Sequence, residues 1–61
     1  MAAKFEIYQD KKGEYRWRLK SGNGQNIANG GEGYTSKDGC LNGINAVKRD
    51  SPDAEIKEVE G

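Results

Sequence analysis

The chain has 61 residues, and its ten basic and ten acidic side chains cancel to a formal net charge of zero. A domain of this length has a marginal core, and its apolar side chains bury too little area for an independent fold. The single cysteine excludes a disulfide framework within these residues, and the lack of histidine excludes a zinc site of cysteine and histidine. We therefore expect association with another chain to supply further burial.

Signals for a membrane or for secretion are not found in these residues. No segment approaches the length of a membrane-spanning helix, and residues 1–4 lack the apolar region of a secretory signal. One unpaired thiol is typical of a reducing compartment. The sequence therefore predicts a cytoplasmic protein without a membrane partner.

The first two elements are predicted to be strands of one hairpin. Residues 4–9 and 14–20 alternate between apolar and polar side chains, as half-buried strands do. A three-residue loop that ends at Gly13 places Phe5 opposite Leu19, whereas a loop one residue longer mixes apolar and basic side chains on each face. Gly13 then falls where this loop type requires a left-handed residue. The predicted pairs are Phe5–Leu19, Glu6–Arg18, Ile7–Trp17 and Tyr8–Arg16.

A third strand is predicted over residues 25–29, after the strong Asn-Gly hairpin signal at 23–24. A two-residue turn there places Ile27 opposite Lys20, on the polar face. A three-residue loop, or a bulge with the same effect, places Ile27 opposite Leu19 in the core. We favour the second register because it buries an apolar side chain.

The helical pattern extends over residues 36–49. Thr35 fits a variant of the capping box, Ser36 is a rival N-cap, and the sequence leaves the two open. Tyr34 is placed to make a hydrophobic contact at the helix entry. Pro52 enforces the end of the helix. The apolar stripe consists of Cys40, Ile44 and Val47, with Leu41 at its edge.

Glycines make this helix weak by propensity, so tertiary packing must hold it. Gly39, Gly43 and Ala46 lie along one flank, where another backbone has room to approach closely. In a soluble protein such spacing is more often incidental, and that is the interpretation we favour.

A last strand is predicted over residues 54–59, with Ala54 and Ile56 on one face. It is short, acidic and weakly alternating, so pairing with another subunit explains it better than an edge position in its own sheet. The dimer strand is therefore assigned to Ala54, Ile56 and Val59. The complete order, β-β-β-α-β, describes one small two-layer α+β domain over residues 1–61.

Four motifs resemble the YegP-like family of small, uncharacterised bacterial proteins in their order and spacing. They are YRWRLK, NGQ, GEGYTSK and NGI, at residues 15–20, 23–25, 31–37 and 42–44. The likeness extends over residues 4–54. It departs from the family pattern at Gly39, where a better helix former is expected, and this weakens the first helical turn.

The resemblance implies a β-β-β-α-β unit that is used twice: longer relatives carry two tandem copies, whereas single-copy chains such as this one pair as homodimers. In the implied homodimer one continuous antiparallel sheet carries the helices on one face, and the C-terminal strands are exchanged. The family has no established catalytic or ligand-binding residues, so the resemblance assigns none to this sequence.

The outer face of the predicted sheet is the first candidate binding surface. Residues 1–20 contain six basic and three acidic groups, and residues 50–61 contain one and five. A basic stripe can bind nucleic acid or protein, although neutralisation by Glu6 and by acidic residues of the last strand is the more ordinary explanation. The stripe consists of Tyr8, Arg16, Arg18 and Lys20.

The loop before the helix is the second candidate, because helix N-termini attract anions. Its candidate anion-binding residues are Thr35, Ser36 and Lys37. The loop lacks both the Walker and the dinucleotide-binding patterns, so a bulge and a cap are the favoured interpretation. Cys40 has no histidine to activate it, which favours a buried structural thiol over a nucleophile.

The predicted function is that of a dimeric binding module without catalytic activity, cofactor or metal. Its expected partner is a second copy, with nucleic acid or protein considered for the outer face. The alternative is a small-ligand or anion binder, or an enzyme, at the dimer seam near residues 31–38, with Tyr34, Lys37 and Asp38 as its polar groups. This alternative lacks a general base, a metal cluster and an activated nucleophile.

Overall fold

The computed structural model describes residues 2–60. Three antiparallel strands form one sheet in the order β1-β2-β3, and a helix packs on one face of it. The elements are β1 (Lys4–Gln9), β2 (Tyr15–Lys20), β3 (Asn26–Asn29) and helix α1 (Lys37–Asp50), followed by a 3-10 turn over Ser51–Asp53. The predicted α+β class is confirmed, and the observed bounds of these strands and this helix lie within one residue of the predicted ones.

The register of the first hairpin is confirmed. Phe5 lies opposite Leu19, and the remaining pairs follow as predicted along both strands. Gly13 has a φ of +83°, the left-handed conformation that this loop requires. The backbone of Asp10 closes the loop, because its N–H donates to the Glu14 carbonyl at 2.9 Å and its carbonyl accepts from the Gly13 N–H at 3.0 Å.

The predicted register of the third strand is wrong at Ile27. The three-residue loop forms, since Lys20 lies opposite Asn26, but a bulge then brings Ala28 rather than Ile27 opposite Leu19. Ile27 is the extra residue of the bulge and is 56% exposed.

A contact beyond this strand gives the physical reason for the bulge. Gly30 lies against the indole of Trp17, where a β-carbon on Gly30 would come within 2.6 Å of Nε1. Its N–H donates to the Trp17 carbonyl at 3.1 Å. The bulge therefore places Gly30, which has no side chain, directly against the buried indole.

The core lies between the inner face of the sheet and one face of α1. Phe5 meets the Trp17 ring edge to face, with centroids 5.5 Å apart and an interplanar angle of 70°. The predicted apolar faces of both strands and of the helix are confirmed. The buried residues are Trp17, Cys40 and Ile44, and those packed against them are Phe5, Ile7, Tyr15, Leu19, Tyr34 and Val47.

Ser36, not Thr35, caps the helix. Its Oγ accepts a hydrogen bond from the Gly39 N–H at 3.1 Å, and its extended backbone precedes the first helical residue. At the other end the Ser51 N–H donates to the Val47 carbonyl, and Pro52 lies in the 3-10 turn. The predicted end of the helix at Pro52 is therefore confirmed.

The glycine flank of α1 receives the ring of Tyr34. A β-carbon on Gly39 would lie 3.4 Å from Tyr34 Cδ1, and one on Gly43 would lie 3.0 Å from Cζ. The backbone of Tyr34 is fixed in turn, because its N–H and carbonyl exchange hydrogen bonds of 2.8 and 2.7 Å with Tyr15. The predicted contact of Tyr34 at the helix entry is thus confirmed, and the glycine spacing is not incidental.

The predicted strand over residues 54–59 does not form within the single chain. Residues 54–60 have no regular structure, and each of them is exposed. A strand requires an edge to pair with, and this segment pairs with neither edge of its own sheet. Its pairing with a second copy stays a prediction. Within residues 2–60, no helix has the length and apolar character needed to cross a membrane.

Candidate functional site

The outer face of the sheet brings the predicted basic stripe together. Arg16 lies opposite Tyr8 and Arg18 lies opposite Glu6, while Lys20 pairs with Lys4 at the end of the hairpin. These side chains share one face because successive residues of a strand point to opposite faces. The outer face is therefore a single surface. What it can bind depends on whether its arginines and lysines are already paired with carboxylates.

Arg18 is held by a carboxylate and by an aromatic ring. Its Nε donates a hydrogen bond to Glu6 Oε1 at 2.8 Å, and its Cζ lies 4.7 Å from the centroid of the Tyr8 ring. This hydrogen bond lowers the pKa of Glu6 below its ordinary value, with smaller contributions from the nearby lysines. Arg18 is therefore already paired, as the neutralised interpretation of the stripe expects.

Arg16 is paired with an acidic residue of the hairpin loop. Its Nε donates to Asp10 Oδ2 at 2.7 Å, and its Nη2 lies 4.0 Å from Glu14 Oε1. The hydrogen bond from Arg16 lowers the pKa of Asp10, and backbone N–H groups of Glu14 and Lys12 lower it further. The Asp10 carboxylate thus accepts hydrogen bonds both from the backbone of the hairpin loop and from an arginine of the stripe.

Asp10 and Glu14 are the acidic neighbours of the stripe that sequence reasoning missed. It attributed neutralisation to Glu6, which is correct, and to acidic residues of the last strand, which form no ion pair with the stripe within residues 2–60. A signal was available, since Asp at the first position of a tight loop commonly accepts hydrogen bonds from backbone N–H groups that follow it. That conformation directs the Asp10 carboxylate toward the next basic residue of β2.

The loop before α1 shows no concentration of groups for an anion. Thr35, Ser36 and Lys37 are exposed, and the Ser36 Oγ is engaged with the Gly39 N–H. The side chain of Glu14 lies against Gly33, where a β-carbon would be 2.8 Å from the Glu14 Cδ. A carboxylate at this position opposes the binding of an anion.

Cys40 has the features of a buried structural thiol. Cys40 is fully buried, and burial raises the pKa of its thiol, which therefore stays protonated at neutral pH. Within the part of the chain that the structure describes, no group of three or more cysteine, aspartate or glutamate side chains could hold a metal ion.

An open groove between β1 and α1 is a further feature that sequence reasoning did not identify. Its volume is about 460 Å³. Leu41, at the edge of the helical stripe, is 40% exposed beside it. Lys4 and Lys48 stand among its polar residues. The apolar residues that line it are Ala3, Phe5, Ile7, Leu19, Leu41 and Ile44.

The family profile of DUF1508, a domain of unknown function, matches residues 10–58. The chain belongs to the DUF1508 family. A UPF0339 protein of Treponema denticola is 58% identical, and the match covers 97% of this chain and 100% of that one. The resemblance to the YegP-like family is confirmed, because the UPF0339 proteins form that family.

Two further relatives of this DUF1508 chain bear on its structure. A UPF0339 protein encoded in the ptx operon 5' region of Stutzerimonas stutzeri is 57% identical over 87% of this chain, but the match covers 47% of that protein. The NMR solution structure of a protein from Haloferax volcanii has a TM-score of 0.89 and 46% identity, and the match covers 95% and 97% of the two chains. The family is therefore not confined to bacteria, and the names of these relatives state no enzymatic activity.

Proposed function

We propose that this DUF1508 chain is a non-catalytic association module that works as a homodimer. The C-terminal segment of each copy, residues 54–60, would occupy the groove of the other. The observation that carries the proposal is the exposure of Ile56: this large apolar side chain is 100% exposed in the single chain. Burying such a side chain stabilises an association by about 1.5–3 kcal/mol.

The exposed area of the single chain supports this proposal. Its accessible surface is 5098 Å², whereas a compact monomer of 6.7 kDa exposes about 3,900 Å². The surplus of roughly 1,200 Å² is larger than the roughly 800 Å² that each partner contributes to a standard protein–protein interface. A second copy is therefore a sufficient source of the missing burial.

Of the two edges of the sheet, β1 is better suited to an added strand. The edge strand β3 is interrupted by the bulge at Ile27, and bulges protect an edge from pairing. Strand β1 pairs regularly with β2 along its whole length, and its open side adjoins the groove. A strand added there with Ile56 toward the groove would extend the sheet by main-chain hydrogen bonds.

The Stutzerimonas stutzeri relative also supports a unit that is used twice. The match covers 47% of that protein, so the remainder has room for a second unit of this size. A tandem protein of this kind would contain both partners of the proposed dimer in one polypeptide.

We place the interaction at the groove and not on the outer face. Nucleic acid would compete with Asp10 for Arg16 and with Glu6 for Arg18, since both arginines already donate short hydrogen bonds to these carboxylates. A catalytic or anion-binding seam at residues 31–38 is disfavoured by the Glu14 carboxylate beside Gly33. The location that we propose is the cytoplasm, where an unpaired thiol such as Cys40 is ordinary.

Isotope-filtered NMR tests the proposal directly. In a mixture of 13C-labelled and unlabelled copies, we expect NOEs between the Ile56 methyl groups of one copy and the Phe5 ring of the other. Phe5 lines the groove, and the side chain of Ile56 is fully exposed in the single chain. Observation of folded protein without any intermolecular NOE to Ile56 would overturn the proposal.

A further inference from the structure

The formal charge has opposite signs before Ala54 and from Ala54 onward. Before Ala54 the sequence carries nine basic and seven acidic side chains, and from Ala54 onward it carries one and three. The folded part therefore has a formal charge of +2 and the C-terminal segment a formal charge of −2, although the whole chain is neutral. The two parts attract each other, whether they belong to one copy or to two.

The basic excess lies around the groove. Lys4 and Lys48 are among the residues that line it, and Lys4 stands directly opposite Lys20 across the hairpin. Like charges in a cross-strand pair are destabilising, and the nearest compensation is Glu6, whose Oε2 lies 3.7 Å from Lys4 Nζ. Within residues 2–60, neither Lys20 nor Lys48 forms an ion pair.

Strand alternation places the acidic residues of the segment against these lysines. If Ile56 points into the groove, Glu58 points to the same side, which is the side of Lys48. Glu55 then points to the outer face, which is the side of Lys4 and Lys20. A strand with this orientation therefore offers one carboxylate to Lys48 and another to the cross-strand pair of Lys4 and Lys20.

We propose that these charges select the partner: Glu55 and Glu58 of one copy pair with Lys4, Lys20 and Lys48 of a second copy. The groove is specific for an apolar segment with acidic flanks, and the segment of this chain is such a ligand. This inference rests on the proposed dimer and adds its specificity-determining residues. It also makes the dimer dependent on salt, since exposed ion pairs are screened at high ionic strength.

A charge-reversal experiment tests the inference. One variant carries Glu55→Lys and Glu58→Lys, and a second carries Lys4→Glu and Lys48→Glu; all four positions are exposed. We expect the dissociation constant of each homodimer to rise about tenfold or more, because each ion pair occurs twice in a symmetric dimer. Native mass spectrometry of the mixed variants should show that the heterodimer predominates, since its two grooves and two segments are again complementary.

A control variant separates this effect from a general change in charge. Lys11→Glu with Lys12→Glu makes the same change in the hairpin loop, at the end of β1 away from the groove, and should leave the homodimer unchanged. Random pairing in the mixture of the two groove and segment variants would overturn the charge selection and leave the dimer proposal standing. A wild-type chain that stays monomeric at every concentration would instead overturn the proposed function on which the inference rests.

Discussion

The ring of Tyr34 lies against the backbone of Gly43, where a β-carbon would come within 3.0 Å of the tyrosine Cζ. This contact fixes the loop to the helix at a position where helix propensity alone favours alanine. The family motif around Tyr34 and the glycine in the middle of α1 are therefore two halves of one packing arrangement.

Gly43→Ala is expected to destabilise the fold by about 1–2 kcal/mol, because overpacking exceeds the gain of about 1 kcal/mol in helix propensity. In a Tyr34→Ala background the same change should instead stabilise the protein, since the ring is gone. Urea unfolding of the four proteins of this cycle measures the coupling. Equal effects of Gly43→Ala in both backgrounds would show that the ring does not restrict this position.

Gly30→Ala should be more damaging than the same change at the neighbouring Gly31. A β-carbon at Gly30 would lie 2.6 Å from Nε1 of the buried Trp17, whereas one at Gly31 would meet nothing within 4 Å. We expect a loss of about 2–3 kcal/mol for Gly30→Ala and a negligible change for Gly31→Ala. Fluorescence of Trp17 during unfolding measures both, and equal stability of the two variants would contradict the contact.

Acid is expected to weaken the fold through Glu6 and Asp10. Their ordinary pKa values of 4.5 and 3.8 are lowered by hydrogen bonds from Arg18 and Arg16. The unfolded chain therefore binds protons at a higher pH than the folded chain, so this stability is present above the ordinary values and is lost as the pH falls through them toward the lowered ones.

Urea midpoints measured from about pH 6 to about pH 3 test this pH dependence. A variant with Glu6→Gln and Asp10→Asn should show a shallower decline, because its side chains at these positions no longer titrate. An unchanged slope would mean that other carboxylates cause the acid sensitivity.

The first hairpin could be predicted residue by residue, because its information is local. Alternating faces exclude a shift by one residue, and the loop that ends at the left-handed Gly13 selects the register with Phe5 opposite Leu19. The third strand could not be predicted in the same way. Its register depends on the contact between Gly30 and Trp17, which joins residues distant in sequence and leaves Ile27 in a bulge.

The candidate surfaces, too, could be predicted only in part from the sequence. Strand alternation was sufficient to place Arg16 and Arg18 on one face, but their partners depend on the three-dimensional course of the loop that contains Asp10. The groove was missed because it is formed by residues of three elements that are separate in sequence. In the proposed dimer the structure of residues 54–60 is set by contacts with a second copy, which the residues of one chain do not encode locally.

The central claim is that Ile56 is buried by a second copy. Multi-angle light scattering at micromolar concentration is the most direct test, with Ile56→Ser compared with its neighbour Lys57→Ser. We expect wild type and Lys57→Ser to have about twice the 6.7 kDa mass of the chain, and Ile56→Ser to dissociate or unfold. Val59→Ser should have a smaller effect, because strand alternation turns Val59 away from the groove. A wild-type protein that is folded at 6.7 kDa, and whose stability Ile56→Ser leaves unchanged, would contradict the claim.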